Sequence, residues 1–136
     1  MGFFKRLFGI CRTQQPADPD CWSYADGKVE VDMVRAPELK EAGSALRFEG
    51  GELPRRLLIV RDNGSYLAFH NCCSHGGRRL DPFAGDAVVE CCSVGKSKFD
   101  SCGNVLGGSA KKDIDVFPLS VEGGRIIVDL NGTAAR

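Results

Sequence analysis

The sequence predicts an all-β protein, a small antiparallel sandwich or barrel, on three observations. Apolar residues come in short runs that alternate with polar ones or end at turn residues, which is the period of strands and not of helices. Seventeen glycines and six prolines are scattered through 136 residues, as short strands joined by tight turns require. The pair Asn63-Gly64 lies between two apolar runs, a strong hairpin signal because both residue types tolerate positive φ. With 43% hydrophobic and 26% charged residues, a chain of this length buries one core and has no room for a second domain.

Taken in order, residues 1–26 read as an N-terminal tail. Its first ten residues, Met1 to Ile10, interleave large apolar groups with Lys5 and Arg6, a pattern suited to weak peripheral membrane contact. Residues 11–24, with Gln14-Gln15-Pro16 and Asp18-Pro19-Asp20, read as an extended linker. The domain is expected over 27–131. Val29-Glu30-Val31-Asp32-Met33 alternates as a half-buried strand does, Pro37-Glu38-Leu39-Lys40 suits one helical turn, and Ala45 to Glu49 returns to strand alternation. Leu57-Leu58-Ile59-Val60 and Tyr66-Leu67-Ala68-Phe69 form the arms of the hairpin at Asn63-Gly64, which leads into Cys72. Ala87 to Glu90 makes the next strand and Lys98-Phe99 begins another. Val116 to Val121 and Arg125 to Leu130 flank Glu122-Gly123-Gly124 as a closing hairpin, and residues 132–136 are a C-terminal tail.

Eighteen basic and eighteen acidic residues cancel, which argues against nucleic acid as a partner. Any docking partner has to read local patches. The sequence has neither the features of a secretory signal nor the roughly 18 consecutive apolar residues of a membrane span, so a cytoplasmic location, peripheral at the inner membrane face through residues 1–10, is expected. In a reducing compartment clustered cysteines serve as ligands or catalytic thiols more often than as disulfides. Cys11 and Cys21 stand apart in the tail and read as free thiols.

The other cysteines are concentrated. Cys72-Cys73-Ser74-His75 is followed, after a strand-like interval, by Cys91-Cys92-Ser93-Val94-Gly95-Lys96-Ser97-Lys98-Phe99-Asp100. These stretches resemble the two ligand loops of a Rieske [2Fe-2S] domain, in which the first loop reads Cys-x-His-x-Gly and the second Cys-x-x-His-Gly-x-x-Phe-Asp. Cys73, His75 and Gly77 fit the first loop. Laying Lys98-Phe99-Asp100 on the second loop's ending puts Cys92 on its cysteine and Gly95 on its histidine, and glycine has no side chain to bind a metal. Gly76-Gly77-Arg78-Arg79-Leu80-Asp81 is similar to the family's continuation of the first loop. Gly107-Gly108-Ser109-Ala110 stands where the family has a Gly-Pro-Ala turn, with Ser109 in the proline position. The resemblance covers residues 28–130.

That resemblance implies a β-sandwich with a cluster-binding subdomain made of two loops, a [2Fe-2S] cluster, and a ferredoxin-like electron carrier working with a reductase or a terminal oxidoreductase. The expected ligands are Cys73, His75 and Cys92, with Cys91 as the fourth, Cys72 next, and Ser97 or water as weaker substitutes. Neighbouring side chains of an extended segment point to opposite faces, so both members of a Cys-Cys pair bind one cluster only if the backbone turns there. Cys102, at a hairpin tip, is expected to lie too far away, and His70, at a strand end, to be structural. Two histidines in place of thiolates raise the potential from about −400 mV to between about −150 and +300 mV, so one histidine with three cysteines implies an intermediate value.

Three other readings stay open on the sequence. One is a cluster-free binding or assembly module similar to the small subunit of assimilatory nitrite reductase, and another is a Cys72–Cys91 disulfide across the loops. The third, a zinc or thiol-redox site, lacks the spaced Cys-x-x-Cys knuckles zinc prefers. An enzyme is not expected: there is no nucleophile with a partnered base, no phosphate-cradling loop and no second domain to hold a substrate.

Overall fold

The computed structural model describes residues 11–83, 88–93 and 95–134, so the amphipathic segment 1–10 lies outside the described residues. Strands, numbered in chain order, form three four-stranded antiparallel sheets. The first contains β1 (Trp22–Ala25), β2 (Lys28–Asp32), β12 (Arg125–Asp129) and β11 (Leu119–Glu122), in that spatial order. The second runs β10 (Val116–Phe117), β5 (Ser65–His70), β4 (Leu57–Asp62), β3 (Ala45–Phe48). The third runs β6 (Leu80–Pro82), β7 (Val89–Cys91), β8 (Lys98–Phe99), β9 (Val105–Gly107). Pro37–Lys40 is the expected single helical turn, of 3-10 type.

The second sheet lies between two cores, which is why β4 reads as a continuous apolar run. Leu57 and Ile59 pack with Val29, Val31, Ile126 and Val128 of the first sheet. Leu58 and Val60, on the opposite face, pack with Leu80, Val89 and Phe99 of the third. Each such side chain, taken out of water completely, contributes roughly 1.5–3 kcal/mol. The β4–β5 hairpin turns where the sequence predicts, with Asn63 at φ 51°. The run from Val116 to Val121 is split by Pro118 into β10, in the second sheet, and β11, in the first. Proline has no N–H for the ladder, and the chain changes sheet there.

The stretch read as a linker is laid along the domain. Trp22–Ala25 pairs with β2 across a turn in which Asp26 and Gly27 have φ 53° and 76°, and Trp22 meets Phe48 edge-on at 5.6 Å. Ahead of it, Arg47 N–H donates to the Gln14 carbonyl (3.0 Å). The Asp81 carboxylate, 1% exposed, accepts from Arg12 N–H (3.0 Å), Thr13 N–H (2.9 Å) and the Thr13 hydroxyl (2.8 Å). A buried carboxylate needs such donors, and here they come from the N-terminal arm.

Candidate metal centre

Three loops meet at one end of the third sheet. The first, residues 71–79, joins β5 to β6; the second, 92–97, joins β7 to β8; the third, 108–115, joins β9 to β10. Asn71, fully buried, accepts from Leu80 N–H (2.7 Å) and so ties the two ends of the first loop. Within it Cys73 N–H donates to Arg78 C=O (2.7 Å) and Gly77 N–H, at φ 75°, to Cys73 C=O (2.9 Å). The second loop is closed by Cys91 N–H to Ser97 C=O (2.7 Å). The third lies on it: Ala110 N–H donates to the Ser97 hydroxyl (2.9 Å) and Ser109 N–H to Gly95 C=O (3.3 Å). Gly108, at φ 84°, approaches so closely that a Cβ there would lie 2.4 Å from Ser97 Cα. The Ser74 hydroxyl donates to Lys112 C=O, joining the first loop to the third.

These contacts bring Cys73 and Cys91 together, both buried in the second core. The Cys73 and Cys91 thiols are hydrogen-bonded to each other, the Ser97 hydroxyl and the His75 N–H (3.4 Å) bond to Cys73 Sγ, and the Ser93 hydroxyl lies 3.1 Å from Cys91 Sγ. The bond with Cys73, against the effect of burial, lowers the Cys91 pKa, and the same bond raises that of Cys73. The pair therefore gives up its first proton readily and holds the second.

Cys92, placed by counting back from Phe99-Asp100 on the second loop's cysteine, stands apart from that pair. It is 1% exposed, donates its N–H to Arg79 C=O (3.1 Å), and is pushed up to about 11 by burial and then by the neighbouring Cys91, Cys11 and Asp81. Cys91, the last residue of β7, belongs to the second core, and Cys92, one residue on, does not. His75 is exposed at the first loop's tip. The Cys72 sulfur lies 3.6 Å from where a Cβ on Gly77 would stand, and all seven cysteines are free thiols, without a Cys72–Cys91 bridge. Cys102 sits in the turn held by Asp100, whose carboxylate accepts its N–H (2.9 Å). His70 packs on Phe117 and takes a hydrogen bond from Arg55 (3.0 Å to Nδ1); burial, then Arg55, pushes its pKa down.

Residues 30–118 match the family described as Rieske [2Fe-2S] domain. The chain belongs to that family. It is 30% identical over 104 residues to the ferredoxin component of the naphthalene 1,2-dioxygenase system of Pseudomonas aeruginosa, covering 74% of this chain and 95% of that one. It is also 30% identical over 90 residues to the 3-phenylpropionate/cinnamic acid dioxygenase ferredoxin subunit of Escherichia coli (strain K12), covering 65% and 82%. Among solved structures, the ferredoxin of carbazole 1,9a-dioxygenase from Nocardioides aromaticivorans IC177 shares the fold at a TM-score of 0.56 and 23% identity, over 65% of this chain and 86% of that one.

The Rieske relatives are ferredoxin components of dioxygenase systems, small electron carriers and not the catalytic subunits. Against the cluster of the family, this donor set fits in three positions of four. Two buried thiols, one per loop, are already in contact, and the first loop adds an exposed imidazole. The second loop, Cys91 to Asp100, contains no histidine at all. Among the described residues no group of three or more His, Cys, Asp or Glu side chains converges as a metal site. Sequence reasoning missed the N-terminal arm behind Cys92, although Asp26-Gly27, a hairpin dipeptide, signalled β1.

Proposed function

We propose that this Rieske protein is a small electron carrier whose [2Fe-2S] cluster is held by Cys73 and Cys91 on one iron and by His75 on the other, with the second loop supplying no imidazole. The observation that carries this reading is the contact between the Cys73 and Cys91 thiols across the two loops. Anchoring the motif on Cys91 also restores its glycine: Cys91-Cys92-Ser93-Val94-Gly95 reads as Cys-x-x-Val-Gly, with one extra residue before Phe99-Asp100. On this register Val94 replaces the histidine, and water takes the remaining position on the outer iron. Cys92 serves the structure behind the loop.

When bound, such a cluster takes up and passes on one electron at a time. The chain's own residues prepare its surroundings. Leu80, Val89, Phe99 and Ile114 keep water from the thiol side. The His75 N–H and the Ser97 hydroxyl donate to Cys73 sulfur, and the Ser93 hydroxyl stands by Cys91; donors to cluster sulfur stabilise the reduced, more negative state and raise the potential. Exposed His75 offers the short route to a partner. That partner is an oxygenase or a reductase component, since carbazole 1,9a-dioxygenase includes a complex of reduced oxygenase with oxidized ferredoxin.

The test is iron and acid-labile sulfide per chain on anaerobically prepared protein, with visible and EPR spectra of the reduced form. Two of each per chain and a low average g-value, the mark of nitrogen ligation, are expected. Protein that stays colourless after reconstitution would instead be a cluster-free binding module, the reading favoured by the absent second histidine.

A further inference from the structure

We infer that the three loops around the thiol pair form a cationic docking face for an acidic protein surface. Residues 72–79 contain Arg78 and Arg79, residues 91–98 contain Lys96 and Lys98, and residues 107–112 contain Lys111 and Lys112; none of the three stretches contains Asp or Glu. This occurs in a chain whose charges cancel overall. Arg79 pairs with Glu49 (2.7 and 2.9 Å) and Lys98 lies over the face of Phe83 (4.3 Å). Arg78, Lys96, Lys111 and Lys112 are exposed, as is His75.

The loop-to-loop bonds gather these residues on one face, because Lys112 C=O takes the Ser74 hydroxyl and Gly95, beside Lys96, takes Ser109 N–H. The third loop also carries exposed Asp113, next to Lys112, which accepts from Val105 N–H (2.9 Å), and exposed Asp115, which pairs with Arg55. Beyond the central sheet the balance reverses. The first sheet and its turns carry Asp26, Glu30, Asp32, Glu122 and Asp129 against Lys28 and Arg125. Separated charge of this kind orients an approaching partner and raises the rate of productive encounter.

A protein fits this face better than a bilayer or nucleic acid. The large apolar side chains exposed among the described residues are Val34, Leu106 and Val121, none of them in the three stretches, and a membrane-seated face needs apolar groups to insert. The stretches contain no Phe, Tyr or Trp for base stacking. The inference deepens the carrier reading by naming its partner's chemistry, since exposed His75 lies inside the face, but docking itself does not require the cluster.

The experiment is calorimetric titration of the full chain with poly-L-glutamate at low and high salt, and with phosphatidylcholine vesicles rich in phosphatidylglycerol. Binding to polyglutamate at low salt is expected, weakened roughly tenfold in K111E/K112E and unchanged in K28E/R125E, a control on the first sheet. No change in K111E/K112E, an equal loss in the control pair, or tighter binding to vesicles than to polyglutamate would overturn the proposal. Iron content measured on the same samples reports the cluster separately, and iron-free protein that still binds through Lys111 and Lys112 would sink the carrier reading alone.

Discussion

The first loop, residues 71–79, and the second, residues 92–97, are alike in mechanics and unlike in chemistry. Each leaves a strand and closes on a short backbone bond, and Cys73 in the first loop meets Cys91 at the strand end from which the second departs. The first has an imidazole two residues beyond Cys73; in the second, Ser93 stands two residues beyond Cys91 and Val94 three, and neither is a histidine. The scaffold of the site therefore does not depend on the full donor set. Asn71, Ser97 and Gly108 position the loops through backbone and hydroxyl contacts, while cluster chemistry rests on side chains the scaffold does not need.

The comparison is broken most severely from beneath. Asp81→Ala, in the strand that follows the first loop, leaves three donors of Arg12 and Thr13 without their acceptor. It is expected to cost about 3 kcal/mol in chemical denaturation, since bonds to a buried charge are among the stronger ones. Gly108→Ala acts on the second loop. Its Cβ meets the Ser97 backbone from a left-handed φ, so the third loop has to lift, with a loss of about 2 kcal/mol on the same measurement.

The smallest effect separates the loops by pH. Glu49 receives both donors of Arg79, at the end of the first loop, and a bond from Arg47; the Arg79 bond, against burial, holds its carboxyl below the usual 4.5. A depressed carboxyl contributes stability that is present above pH 4.5 and lost as pH falls through its folded value. Denaturation series across that window should show a fall for the native chain that Glu49→Gln flattens, with nothing comparable for Lys96→Gln on the second loop.

Much of this was legible because local period decides it. Val29 to Asp32 alternates because one face is buried, Leu57 to Val60 does not because both are, and Asn63-Gly64 turns the hairpin between β4 and β5. Pro118 shows the limit, since a break inside an apolar run does not say that its halves belong to different sheets. The arm on Asp81 was invisible for a different reason, as its partners lie 68 and 69 residues apart in the chain. In the site, Cys73 and His75 are indicated by the resemblance of Cys73-Ser74-His75 to the family's first loop. The choice between Cys91 and Cys92 is not decided that way, because one added residue before Phe99 shifts any count made from the far end, and only the packing of each side chain in the fold separates them.

The most direct measurement is iron and sulfide per chain in Cys91→Ser and Cys92→Ser, purified anaerobically beside the native protein. Cys91→Ser is expected to lose the cluster and Cys92→Ser to keep two irons with an unchanged reduced EPR spectrum. A colourless Cys92→Ser beside a fully loaded Cys91→Ser would contradict the assignment and return the second loop's ligand to the position counted from Phe99-Asp100.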